Sequence, residues 1–189
     1  ILNPLVIAME QSGAWTKAYD GGKFVRKSSE FRDTLSDSGE FPFATDRYHL
    51  YISHACPWAH RTLLTATILG LRDHITVDVV DWRMNNDGSW SFNPDEPGAT
   101  IDSVNGQKSL EGLYQIAFDG WKDSGNIGTV PVLWDKNLNT IVNNESREII
   151  RMLDSFARAG YGNGATLCPP EIIGEIDAMI TANYETVNN

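Results

Sequence analysis

Cysteine is scarce in this sequence: Cys56 and Cys168 are the only two among 189 residues. Two thiols make no disulfide framework. Free thiols belong to a reducing compartment, so the cytoplasm is the expected location. Positive charge is scarce too, with 15 Lys and Arg against 25 Asp and Glu and a formal net charge of −10. That balance argues against nucleic acid as a partner, because displacing phosphate counterions takes a basic footprint. It argues equally against an anionic membrane surface. No apolar run approaches the length of a membrane span. The opening "ILNPLVIAMEQSGAW" lacks the basic flank and small-residue cleavage site of a secretory signal. Metal-ligand spacing is missing as well: His54 and His60 flank Cys56 with no third ligand in register, so no metal site is expected.

What the chain does have is apolar material, 41% of its residues, enough for a full domain or a domain with part of another. "RYHLYIS" (47–53) alternates as a strand does, "PWAHRTLLTATILGL" has helical spacing, and "HITVDVVDW" (74–82) is β-branched and strand-like. This is a β-α-β unit, which favours a parallel pair. A long polar loop follows over 83–107, containing Arg83 and Trp90. A short helix over 109–121, two strands over 129–135 and 139–144, and a helix over 145–159 complete the pattern. The order predicts an α/β, thioredoxin-like fold: a mixed four-stranded sheet with helices. Residues 1–44 read as an extension with little regular structure, 45–160 as the thioredoxin-like domain, and 161–189 as a linker and one amphipathic helix. That last helix has no partner in the sequence, so it is read as the start of an all-helical domain.

"HACPWAHR" holds the most informative residue. Cys56 stands where a strand hands over to a helix, with Pro57 at the first helical position, where a missing N–H costs nothing. Unpaired backbone N–H groups and the helix dipole favour an anion there, and thiolate is the reactive form of cysteine. His60 and Arg61 lie about one turn on and are expected to add positive potential. Ala59 occupies the place a second thiol would take in a Cys-x-x-Cys pair. A mixed disulfide at Cys56 therefore needs an external thiol to clear it, which points to glutathione. Buried cysteines also serve as small hydrophobes, but the Cys-Pro helix start argues against that here.

Glutathione needs donors and a backbone edge. "TVPV" offers an edge at Val130, with Pro131 either a cis proline that presents it or an ordinary edge-strand proline. In "NNES", Ser146 suits a ligand carboxylate and Glu145 a ligand amine, though the same residues would serve as a helix cap. Trp90 offers an aromatic cover for a bound peptide, or is simply a surface tryptophan.

"DGGKFVRKSSEFRDTL", "YHLYISHACPWAHRTLLT" and "TVPVLWDKNLNTIVNNESREIIRML" together resemble the glutathionyl-hydroquinone reductases, the Xi class of glutathione transferases. The resemblance implies that Cys56 is the nucleophile and that Trp90, Val130, Glu145 and Ser146 hold glutathione, with Pro131 cis. It implies glutathione as co-substrate and no tightly bound cofactor. Glutathionylated hydroquinones would be the substrates, and a C-terminal all-helical domain would form a homodimer. A glutaredoxin-like thiol transferase or dehydroascorbate reductase is the nearest alternative. A non-catalytic transferase-like binding module is the alternative from another class.

Overall fold

The computed structural model describes residues 19–20, 23–24, 29–86 and 88–187. Its elements in chain order are β1 (Tyr19–Asp20), β2 (Lys23–Phe24), β3 (Tyr48–Ser53), α1 (Pro57–Ile68), β4 (Ile75–Val80), α2 (Leu110–Ala117), β5 (Val132–Asp135), β6 (Thr140–Asn143), α3 (Ser146–Phe156) and α4 (Ile173–Thr186). The main sheet has the order β4-β3-β5-β6. β3 and β4 run parallel from the Tyr48–Ile75 pair to the Ser53–Val80 pair. β5 lies antiparallel to β3, and β6 antiparallel to β5. This is the mixed four-stranded sheet that the sequence predicts.

β3 is buried along its whole length. The alternation in its sequence separates side chains between two faces, and both faces are covered. Its polar side chains find partners inside: His49 Nδ1 lies 2.7 Å from Thr76 Oγ1, and the Tyr51 hydroxyl donates to Asp102 at 2.8 Å. β5 is shorter than its apolar run. The ladder begins at Val132 because Pro131 has no N–H to give it.

α1 closes at Leu69, and Gly70 follows with φ 73°, the left-handed conformation that glycine supplies after a helix. A Cβ at Gly70 would also come within 3.1 Å of Asn163, whose N–H donates to the Leu69 carbonyl at 3.0 Å. The linker thus crosses the end of α1.

Residues 29–44 share the main core instead of standing apart from it. Leu35 and Phe41 are buried in it, and Arg32 bridges to Asn143 on β6. Position 44/45 is therefore no break in packing. β1 and β2 also form a two-residue antiparallel ladder where little regular structure was expected. Residues 1–18 of that predicted extension lie outside the described residues.

α4 is fastened to α3 by charge. Arg151 and Arg147 approach Asp177 at 2.7 and 3.7 Å. Ile173, Met179 and Tyr184 on α4 are exposed. Among the described residues, no helix is long and apolar enough to cross a membrane.

Candidate active site

The joint between β3 and α1 is built by Ser53. Its carbonyl accepts the Cys56 N–H at 3.2 Å. Its hydroxyl donates to the Asp81 carbonyl at 3.0 Å and accepts the Ala55 N–H at 3.3 Å. This tight turn sets Cys56 as the N-cap of α1, with Pro57 next and the Cys56 carbonyl accepting the His60 N–H at 2.9 Å. Among the described residues, no side chain caps α1, and its first turn holds no acidic residue. The positive end of the helix is therefore left to whatever anion sits at Cys56. The thiol is half-buried, and its Sγ lies 3.8 Å from the Val130 carbonyl. The Val130–Pro131 peptide bond is cis. Cysteine sulfur and peptide edge therefore lie side by side, although 74 residues separate them.

The start of α3 forms a second arm. Glu145 is its N-cap: one carboxylate oxygen accepts the Arg147 N–H at 3.2 Å, the other the Ser29 hydroxyl at 3.3 Å. Its own N–H donates to Asn143 Oδ1 at 2.7 Å. Ser146 follows as the first helical residue, and its hydroxyl accepts from Arg61 Nε at 3.1 Å and Nη2 at 2.6 Å. The helix-cap reading thus holds for Glu145, while Ser146 Oγ is held by α1. Arg61, expected to add positive potential near Cys56, reaches with its guanidinium to the start of α3. Five residues along an α-helix amount to a rotation of about 140° beyond a full turn, which carries Arg61 round to face α3. There it packs over the Trp58 ring at 4.8 Å and lies 4.0 Å from Glu145.

Tyr114 joins the two arms, and sequence reasoning did not single it out. Its hydroxyl donates to the Thr129 carbonyl at 2.8 Å and accepts from Asn144 Nδ2 at 2.9 Å and the Thr129 N–H at 3.3 Å. It thus ties the residue before Val130 to the residue before Glu145. Burial pushes the phenol's pKa up. The available signal was its place on the buried stripe of α2, beside Leu110 and Leu113. Nearby, the hydrogen bond from Arg32 holds the Glu148 carboxyl below its usual range against the opposing effect of burial.

The long loop is organised by its own contacts. Asp102 accepts the N–H groups of Val104, Asn105 and Gln107. Trp90 packs half-buried against the core, and its carbonyl accepts the Leu110 N–H at 2.8 Å, so its position is set by the start of α2. Arg83 is exposed and stacks on Trp82. A cleft of about 680 Å³ opens beside the second arm, lined in part by Trp58, Arg61, Glu145, Asp177 and Tyr184. Both cysteines are free, with Cys168 buried.

The family described as Glutathione S-transferase, N-terminal domain, matches residues 55–155, just over half the chain. Glutathionyl-hydroquinone reductase YqjG of Escherichia coli is 44% identical over 89% of this chain and 53% of its own length. Glutathionyl-hydroquinone reductase PcpF of Sphingobium chlorophenolicum is 43% identical over 94% of this chain and 56% of its own. The glutathione-bound structure of YqjG matches with a TM-score of 0.76 at 41% identity, over 84% of this chain and 53% of that one. The Xi glutathione S-transferase of Phanerochaete chrysosporium matches with a TM-score of 0.79 at 39% identity, over 91% of this chain and 55% of that one. The chain spans about half the length of the curated relatives it matches. With the fold and the matched family in agreement, the chain belongs to the glutathione S-transferases through their N-terminal domain, and its likeness is to their Xi class.

Proposed function

We propose that the protein removes glutathione from glutathionyl-hydroquinones, with Cys56 as nucleophile. One observation carries this reading: a half-exposed sulfur at an uncapped helix start, 3.8 Å from the Val130 carbonyl. The relatives' names supply the substrate class.

In the first step the Cys56 thiolate attacks the glutathione sulfur and the carbon–sulfur bond to the ring breaks. The bonding pair leaves with the ring carbon, which takes a proton and gives the hydroquinone. Cys56 and the glutathione sulfur are thereby oxidised to a mixed disulfide. A second glutathione thiolate then attacks that disulfide, releasing oxidised glutathione and restoring Cys56. With Ala59 in place of a second thiol, the resolving thiol comes from solution.

Val130 supplies the backbone edge, Pro131 holds it, Ser146 takes the γ-glutamyl carboxylate and Glu145 its amine. Trp90 covers the bound peptide from the loop. Glutathione is co-substrate and no tightly bound cofactor takes part. A thiol that cycles in this way suits the cytoplasm. Residues 45–160, with residues 29–44 packed into the same core, form the glutathione-binding unit, and 161–189 open a helical region through which the protein pairs as a homodimer.

Mass spectrometry after incubation with oxidised glutathione tests the reading. One glutathione adduct is expected, on Cys56. Cys56→Ser is expected to bind glutathione and to lose turnover of glutathionyl-hydroquinones; turnover retained in that variant overturns the mechanism.

A further inference from the structure

A serine hydroxyl has one proton to give and two lone pairs to receive, whereas a guanidinium only gives. At Ser146 two guanidinium N–H groups of Arg61 point at the one oxygen, at 3.1 and 2.6 Å. The serine oxygen is therefore an acceptor toward α1, and its own proton is left for another group. Among the described residues, Ser146 Oγ donates to no acceptor, and the residue is only 4% exposed. The guanidinium is itself held in place over the Trp58 ring. It also lies 4.0 Å from Glu145, whose carboxylate stands at the same helix start.

We infer that Arg61 is a positioning residue that makes Ser146 a donor to a ligand carboxylate, pairing a carboxylate seat at Ser146 with an amine seat at Glu145. The arrangement fits the α-amino-acid end of a ligand, with its free amine and free carboxylate one carbon apart. The guanidinium charge behind the hydroxyl strengthens the bond it donates. The inference rests on glutathione being the ligand and adds which residue makes its carboxylate count.

Isothermal titration with two ligands tests it: glutathione, and the analogue in which 4-aminobutyrate replaces the γ-glutamyl residue, so that only the α-carboxylate is lost. The unaltered protein is expected to prefer glutathione by tenfold or more, the scale of about one charge-assisted hydrogen bond. Arg61→Gln is expected to weaken glutathione about tenfold and to leave the analogue unchanged. Arg61→Lys, which keeps the charge but not the fork, is expected to fall between. In a Ser146→Ala background, Arg61→Gln is expected to cost much less.

An equal loss for both ligands in Arg61→Gln would mean a packing role and overturn the inference. So would a wild-type protein that binds both ligands alike, which would still leave glutathione as the ligand. A wild-type protein that binds neither removes the glutathione reading and this inference with it.

Discussion

Tyr114 uses its hydroxyl completely, giving one hydrogen bond and accepting two, all inside the protein. A group in that position cannot be deleted quietly. Tyr114→Phe keeps the ring and its packing against Phe31 and Trp121, but leaves the Thr129 backbone and Asn144 Nδ2 without their partner. Leaving buried polar groups unpaired costs about 1–3 kcal/mol, so a lower denaturation midpoint is expected. The more telling consequence lies in binding. Thr129 precedes Val130 and Asn144 precedes Glu145, so the variant loosens one arm of the candidate site from the other. Glutathione affinity is expected to fall several-fold while the rate of Cys56 alkylation by iodoacetamide stays as it was, because the helix start at Cys56 is untouched. Unchanged affinity would show that the two arms are held without this hydroxyl.

At the scale of elements, the candidate chemistry depends on how a central strand becomes a helix within three residues. Ser53 closes β3, and its hydroxyl and carbonyl together set Ala55 and Cys56. Ser53→Ala is expected to lower stability by about 1–3 kcal/mol, since the buried Asp81 carbonyl loses its partner. It is also expected to slow iodoacetamide labelling of Cys56, as the sulfur leaves the helix axis; labelling at the wild-type rate would mean that Pro57 alone fixes the helix start. The β3-α1-β4 unit was legible because β-branched strands and a Cys-Pro helix start are local signals. The Cys-Pro helix start at Cys56 was legible for the same reason, while the cis bond at Val130–Pro131 was one of two readings left open. The side-chain links between distant segments were not: Arg61 to Ser146, Ser29 to Glu145 and Tyr114 to Asn144 depend on which helix face meets which strand end. Sequence set Arg61 about one turn beyond Cys56, whereas only the packing of α1 on α3 shows that its guanidinium reaches Ser146. The edge at Val130 was read as part of a strand, and only the start of the ladder at Val132 shows that it lies just beyond.

Across the whole molecule, three buried phenols fasten irregular segments to the sheet and helices. Tyr48 donates to the Pro42 carbonyl and holds residues 29–44; Tyr51 donates to Asp102 and holds the long loop; Tyr114 donates to Thr129 and holds the candidate peptide edge. Burial pushes the Tyr48 pKa up to about 12, with Arg47 opposing it. Burial also pushes Tyr51 and Tyr114 up, and the Asp102 charge adds to the shift at Tyr51. In an unfolded chain these phenols ionise near pH 10. A group whose folded pKa is raised keeps its full contribution below the unfolded value and loses it as pH climbs toward the folded one. Stability is therefore expected to be flat with respect to these phenols below about pH 10 and to fall steeply above it. Tyrosine absorbance near 295 nm, followed together with circular dichroism, reads this directly. In denaturant all 6 tyrosines are expected to titrate in one step. In the native protein Tyr48, Tyr51 and Tyr114 are expected to stay silent until the dichroism signal collapses, and then to ionise with it. Six phenols titrating near pH 10 while the dichroism stays native would mean that these hydroxyls are open to water, and that the three segments are not fastened as described.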